Sequence, residues 1–237
     1  MAERSARQWT FGHREPAARS EVGDSVVVLG LGRFGGAVAS ELVRLGFEVL
    51  GVDTSESAVQ YYSDSITHVV QSDITNTIAL RQLGVGDMAH AIVAVGSDLE
   101  ASILATAALD ELGVPSILAK AVSRQHGRIL ERVGAQHVVY PEHDMGHQVA
   151  HMIGGRILDW FQLDEQFALV ETVVPSKLVG RTLAESGIRE KYNVTVVCVK
   201  PAGGKFNYAT VDTKLAAGDL LVIAGETAAA EAFARLG

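Results

Sequence analysis

Cysteine occurs once in 237 residues, as Cys198. That excludes a disulfide framework and a cysteine-built metal site. Cys198 stands in the apolar run 194–199, where a buried, inert thiol is expected. Aromatic residues make up only 6% of a chain that is 48% hydrophobic, so small and branched aliphatic side chains carry its apolar content, as suits an α/β core. Positive charge is also short: 20 Lys and Arg stand against 28 Asp and Glu, a net charge of −8. This excludes a general nucleic-acid surface and a polybasic membrane anchor. No apolar run approaches the roughly 20 residues that a bilayer span needs. Residues 1–21 carry Arg4, Arg7, Arg14 and Arg19 without an apolar centre, so they do not read as a secretory signal. A disordered tail over 1–22 is expected there, with contact to a partner as the alternative. The chain reads as cytoplasmic, without direct membrane insertion.

Catalytic groups are missing too. No histidine follows His151, and no Ser-His-Asp or Cys-His grouping can be placed. A dehydrogenase would need an acid–base group and a substrate clamp in its second domain. His143, His147 and His151 fall at i, i+4 and i+8, on one helical face. Such a stripe is either a metal site or a wet, interfacial face, and the lack of an accompanying carboxylate set favours the second. These absences point away from an enzyme and toward a protein that binds a ligand without consuming it.

What is present is an apolar strand running straight into Gly30-Leu31-Gly32-Arg33-Phe34-Gly35-Gly36, a G-x-G-x-x-G loop, with Asp53 closing the next apolar run. Gly30 permits the tight turn, Gly32 lets the backbone approach a phosphate, and Gly35 lets the following helix pack on the strand. The helix N-terminus then offers N–H groups and a positive dipole end to the anion. Asp53 is placed to bond a ribose hydroxyl and to repel a 2′-phosphate. Strands are expected at 25–30, 47–52, 66–70, 90–95, 115–119 and 136–140, with helices at 34–46, 55–63, 76–84, 98–112 and 124–133. Several strands are unbroken apolar runs, as in a parallel sheet covered on both faces. Gly46, Gly84, Gly113 and Gly134 mark helix ends. The fold class is therefore α/β: a Rossmann-like, doubly wound parallel sheet over 23–143, followed by a small α+β C-terminal lobe over 164–237. Between them, 144–163 reads as a linker and crossover helix, with Met145, Val149, Met152 and Ile153 on one face and the apolar run 156–161 continuing it. In the lobe, strands are expected at 167–174, 194–200 and 219–225, a short helix at 178–183, and a last helix at 226–236. The turns at 201–204 and 217–219 are hairpin-like.

Arg33 sets a guanidinium beside the phosphate path. It is optional for a dinucleotide pyrophosphate, which backbone N–H groups satisfy, but can pair bidentately with a terminal phosphate. A solvated loop arginine is the alternative.

The glycine loop, Asp53, Ala94-Val95-Gly96-Ser97-Asp98, Lys120 and Tyr140-Pro141-Glu142-His143-Asp144-Met145-Gly146 together resemble the RCK proteins (regulators of potassium conductance), of the KtrA and TrkA type. The resemblance covers roughly residues 24–235. It implies a nucleotide-sensing regulatory subunit, a homodimer assembling into an octameric ring beneath a separate membrane potassium pore of Ktr or Trk type. ATP would favour the conducting state and ADP the low-activity state. Arg33 would meet the γ-phosphate near the dimer interface. Asp53, with Thr54, would hold the ribose. Asp73, after Ser72, would lie beside the adenine. Phe34, Val95, Gly96 and Lys120 would line the rest, with His126 among the candidates. Glu142 would hold a divalent cation, Mg²⁺ or Ca²⁺, at the dimer interface, or else serve as a helix N-terminal carboxylate. Cyclic di-AMP is a candidate ligand of the C-terminal lobe. The alternative functions are an NAD/NADH-binding redox sensor and an NAD-dependent oxidoreductase.

Overall fold

The computed structural model describes residues 25–153, 156–164 and 166–236. The expected tail lies outside them. The chain divides into two compact units, the first ending at His143 and the second beginning at Asp144.

In the first unit, β1 (Ser25–Leu29) is a run of four buried residues after Ser25, because both of its faces are covered. Val27 and Leu29 join one core layer; Val26 and Val28 join the layer on the opposite face. The remaining strands are β2 (Glu48–Asp53), β3 (His68–Gln71), β4 (His90–Val93), β5 (Ile117–Lys120) and β6 (His137–Val139). All pairings are parallel, in the order β3-β2-β1-β4-β5-β6, with Val28 opposite Gly51 on one side and Ile92 on the other. This is the doubly wound sheet expected from the strand–helix alternation.

Helices α1 (Arg33–Arg44), α2 (Glu56–Tyr62), α3 (Thr77–Gln82), α4 (Leu99–Glu111) and α5 (Arg124–Arg132) connect the strands. Ser55, Asn76, Asp98 and Ser123 each accept a backbone N–H of the helix they begin, so α2 to α5 have side-chain caps. Gly46, Gly84, Gly113 and Gly134 all take the left-handed φ expected after a helix. Inside α4, Thr106 Oγ1 donates to the Ser102 carbonyl at 2.8 Å, but Ser102 Oγ is buried without a partner. An unpaired buried hydroxyl is destabilising, so Ser102→Ala is expected to raise the denaturation free energy by up to about 1 kcal/mol, read from a chemical-denaturation curve.

Helix α6 (Pro141–Met152) buries none of its residues, and the apolar face expected of it is exposed at Met145, Val149, Met152 and Ile153. In the second unit, five antiparallel strands run in the order β10-β9-β11-β8-β7. They are β7 (Ile157–Gln162), β8 (Phe167–Val173), β9 (Val194–Lys200), β10 (Asn207–Tyr208) and β11 (Leu220–Glu226). Helices α7 (Leu183–Ser186), α8 (Ile188–Tyr192) and α9 (Thr227–Ala234) complete it. Phe233 of α9 is buried and meets Tyr192 edge to face at 5.5 Å.

Three expectations are corrected here. Residues 157–162, read as part of the linker, are a strand of the second sheet. A bulge between Ile157 and Asp159 turns both Ile157 and Trp160 inward, a three-residue spacing that imitates a helix. The helix expected at 178–183 begins instead at Leu183. Thr182 caps it, and Glu185 bonds back to the Thr182 N–H in a capping box. Cys198 is half-buried on β9, not buried. The two expected turns are joined by Asp219, whose carboxylate accepts the N–H groups of Ala216 and Ala202.

Candidate functional site

The order of strands reverses between β1 and β4, and a doubly wound sheet opens its ligand crevice beyond the carboxyl ends of the strands at that point. The glycine loop leaves β1 there. Gly30 takes φ +94°, and a Cβ on it would lie 2.7 Å from Val95 Cγ2. A Cβ on Gly35 would stand 1.9 Å from the Gly30 carbonyl oxygen and 2.7 Å from Ala94 Cβ; one on Gly36 would stand 2.0 Å from the Tyr62 hydroxyl. A Cβ on Gly32 would meet nothing within 4 Å. The loop is thus packed tight behind and open in front.

Gly32 is also the N-cap of α1 and supplies no side-chain hydrogen bond, unlike the caps of α2 to α5. The first turn of α1, which includes exposed Arg33, therefore presents backbone donors and a positive dipole end beside the open space at Gly32.

Asp53 closes β2. Its Oδ2 accepts the Leu31 N–H at 2.6 Å and its Oδ1 the Ser55 N–H at 2.8 Å. The carboxylate fastens the glycine loop to the β2–α2 turn while its oxygens retain acceptor capacity. The Thr54 carbonyl accepts Gln71 Nε2 at 3.0 Å, and the Ser72 N–H donates to the Asp53 carbonyl at 3.0 Å. Asp73 Oδ1 accepts both the backbone N–H of Thr75, at 2.9 Å, and its hydroxyl, at 2.7 Å, which holds the Asp73 carboxyl below its usual range. Thr54, Ser72 and Asp73 are gathered at the ends of β2 and β3, with the Asp73 carboxylate turned to its own turn.

Val95, Gly96 and Lys120 stand at the ends of β4 and β5. A Cβ on Gly96 would come within 3.0 Å of Lys120 Cε and Val122 Cγ1, so the glycine makes room for the lysine. The Lys120 side chain is 13% exposed; its Nζ lies 5.7 Å from the Phe34 ring centroid and 2.5 Å from Glu142 Oε1. The Lys120 hydrogen bond, with the nearby charges of Lys120 and Arg33, holds the Glu142 carboxyl below its usual range. The stability this pair contributes is complete above the ordinary carboxylate range and is lost as pH falls through the lowered value.

His126 lies in the first turn of α5 and is buried. Only 3% of it is exposed; Nδ1 accepts the Val122 N–H at 3.4 Å, Nε2 has no partner, and burial lowers its pKa. Its ring supports residues 121–123 from inside and does not line an open crevice. The local signal is the spacing from Ser123, whose Oγ accepts the His126 N–H at 3.1 Å. In the second unit, His151 stacks on Trp160 at 3.9 Å, and its Nδ1 lies 3.1 Å from Glu231 Oε1. Among the described residues no group of three or more His, Cys, Asp or Glu side chains is arranged to hold a metal. The loop amide of Leu31 and the Tyr62 ring behind Gly36 are parts of the site that carry no local sequence signal.

Residues 26–141 match the TrkA-N domain family and residues 168–236 the TrkA-C domain family. Ktr system potassium uptake protein C of Bacillus subtilis (strain 168) is 41% identical over 174 residues, covering 73% of this chain and 79% of that protein. Ktr system potassium uptake protein A of Vibrio alginolyticus is 36% identical over 199 residues, covering 84% and 90%. The solved RCK domain of GsuK shares the fold, with a TM-score of 0.64 at 19% identity over 98% of this chain and 50% of that one. No helix among the described residues is long and apolar enough to cross a membrane. With both domain families in tandem and relatives matched over most of their length, this chain belongs to the TrkA-N/TrkA-C family, with the Ktr system potassium uptake proteins.

Proposed function

We propose that the chain is a nucleotide-sensing subunit that binds ATP and ADP in the first unit and gates a separate membrane potassium pore through an oligomeric ring. The observation that carries this reading is the uncapped start of α1 behind an open Gly32, with Arg33, Lys120 and Glu142 gathered beside it. Such an anion site would add two cationic side chains, Arg33 and the Glu142-paired Lys120, to the backbone donors that suffice for a pyrophosphate. Gly30, Gly32 and Gly35 would shape the phosphate loop, Asp53 and Thr54 would take the ribose, and Ser72 and Asp73 would flank the base. Val95, Gly96, Phe34 and Lys120 would line the far side, with His126 holding the 121–123 loop beneath it.

Dimers would assemble into an octameric ring on the cytoplasmic side of the pore. A divalent cation on Glu142 at the dimer interface would add to the ATP-bound state, and cyclic di-AMP would act on the C-terminal lobe. A ligand shifts such a ring only by its differential affinity for the two states, and several equivalent sites at about 1–2 kcal/mol each are sufficient. The sequence beyond His151 carries no histidine, and no Ser-His-Asp or Cys-His grouping can be placed, which favours sensing over catalysis.

The second reading is an NAD(H) sensor. It is favoured by one structural neighbour, the GsuK channel bound to NAD, at TM-score 0.63 and 19% identity. Isothermal titration of the full chain with ATP, ADP, NAD⁺ and NADH, with and without Mg²⁺, separates the two. Preferential binding of ATP or ADP is expected; tight NADH binding without an ATP response would replace the first reading by the second. In the same experiment Arg33→Ala is expected to lose at least about tenfold in ATP affinity, the scale of one charge-assisted phosphate contact, while ADP affinity changes little. Unchanged ATP/ADP discrimination would remove Arg33 from the γ-phosphate.

A further inference from the structure

We propose that Glu142 is an internal competitor for Lys120, and that exchange of this carboxylate for a ligand's phosphate is how occupancy of the crevice reaches helix α6. The inference rests on reading the crevice as a nucleotide polyphosphate site.

Lys120 is built to face that crevice. It is the last residue of β5, its stem runs past Gly96 and Val122, and its ammonium lies over Phe34 in the first turn of α1. An ammonium so aimed is a point charge for phosphate oxygens. It is paired within the chain, 2.5 Å from Glu142 Oε1. The two partners are not held alike. The lysine side chain is 13% exposed and fixed by its packing, whereas the glutamate side chain is 66% exposed and solvated. An exposed carboxylate is a weak, screened partner, and a polyphosphate carries several negative charges. When the two compete, the lysine stays and the glutamate leaves.

The consequence falls on α6. Glu142 is the second residue of that helix, whose residues from Asp144 onward belong to the second unit. The ion pair to Lys120 ties the first turn of α6 to the end of β5; its release removes that tie and leaves a free carboxylate beside Arg33. A cation held by Glu142 and the loss of the Lys120 pair are then two parts of one exchange. Lys120 is the resident cation of Glu142 until phosphate claims it.

The test is a double-mutant cycle on the full chain, titrated with ATP in EDTA so that no divalent cation contributes. Glu142→Gln is expected to bind ATP about 3–10-fold more tightly than wild type, because Lys120 is freed; Lys120→Met is expected to bind about tenfold more weakly. In the Lys120→Met background, Glu142→Gln is expected to change affinity less than twofold. A gain that persists without Lys120 would mean simple repulsion between Glu142 and phosphate, and would overturn the exchange. So would an unchanged or weakened affinity of Glu142→Gln. Hydrogen exchange supplies the second readout: the first turn of α6 in nucleotide-free Glu142→Gln should exchange as it does in ATP-bound wild type, and equal protection in all states would also overturn the proposal. If wild type binds no nucleotide, the site reading itself fails and the exchange falls with it. If nucleotide binds but the cycle shows no coupling, the site stands and only the exchange is lost.

Discussion

Gly35→Ala is expected to destabilise the first unit by about 3 kcal/mol or more and to abolish nucleotide binding with it. Added core atoms usually cost about 1–3 kcal/mol, because side chains can move aside. At Gly35 the obstacle is the Gly30 carbonyl oxygen, 1.9 Å from the new Cβ, and behind it the Ala94 Cβ at 2.7 Å. The carbonyl belongs to the loop that joins β1 to α1, so α1 must lift from the sheet to relieve the contact. Its neighbours behave differently for reasons equally local. At Gly36 the new methyl would meet the Tyr62 ring from its hydroxyl end, a side chain that can be shortened, so Tyr62→Leu is expected to restore much of what Gly36→Ala loses. At Gly32 nothing lies within 4 Å and the backbone is extended, so Gly32→Ala should fold normally and lose only ligand affinity. Denaturation curves of the three single variants, with titration of those that fold, check the order. A Gly35→Ala protein as stable as wild type would remove the close helix–strand approach from the account.

The parts of this molecule legible in sequence are those specified by residues close together in the chain. The glycine loop and the terminating glycines Gly46, Gly84, Gly113 and Gly134 are local chemistry, and each sits where its residue type requires. The central strands were legible because burial on both faces makes them unbroken apolar runs. Strand β7 was not, because its bulge sets the inward residues Ile157 and Trp160 three apart. Nor was β10, whose two residues Asn207 and Tyr208 are both exposed and pair with β9. In the site, the sequence placed Asp53 and Lys120 at strand ends but could not reveal what they bond. Leu31 to Asp53 and Lys120 to Glu142 each span 22 positions, and only the closed sheet brings them together. His126 shows the converse: a polar residue in a promising segment can be buried as a prop.

The second large effect is expected at Asp53, where two roles of one carboxylate can be separated. Asp53→Ala is expected to weaken binding of any ribose-bearing ligand by about 10–100-fold, the scale of one or two lost bonds to a charged acceptor. It should also lower stability by about 1–2 kcal/mol, because the Leu31 N–H, now paired at 2.6 Å, would lose its acceptor. Asp53→Asn retains one acceptor oxygen, enough for either Leu31 or Ser55 but not for both. It should therefore recover part of the stability while remaining weak toward ligand. Both variants remove the negative charge that opposes a 2′-phosphate, so binding of NADP⁺ relative to NAD⁺ should rise in each. Titration of wild type and the two variants with ATP, ADP, NAD⁺ and NADP⁺, beside denaturation curves, resolves the roles. Loss of stability with unchanged affinity would make Asp53 a latch for the glycine loop and no more. Loss of affinity with the wild-type order of NAD⁺ over NADP⁺ would mean that the carboxylate acts on the loop's shape, and that the ribose is held elsewhere.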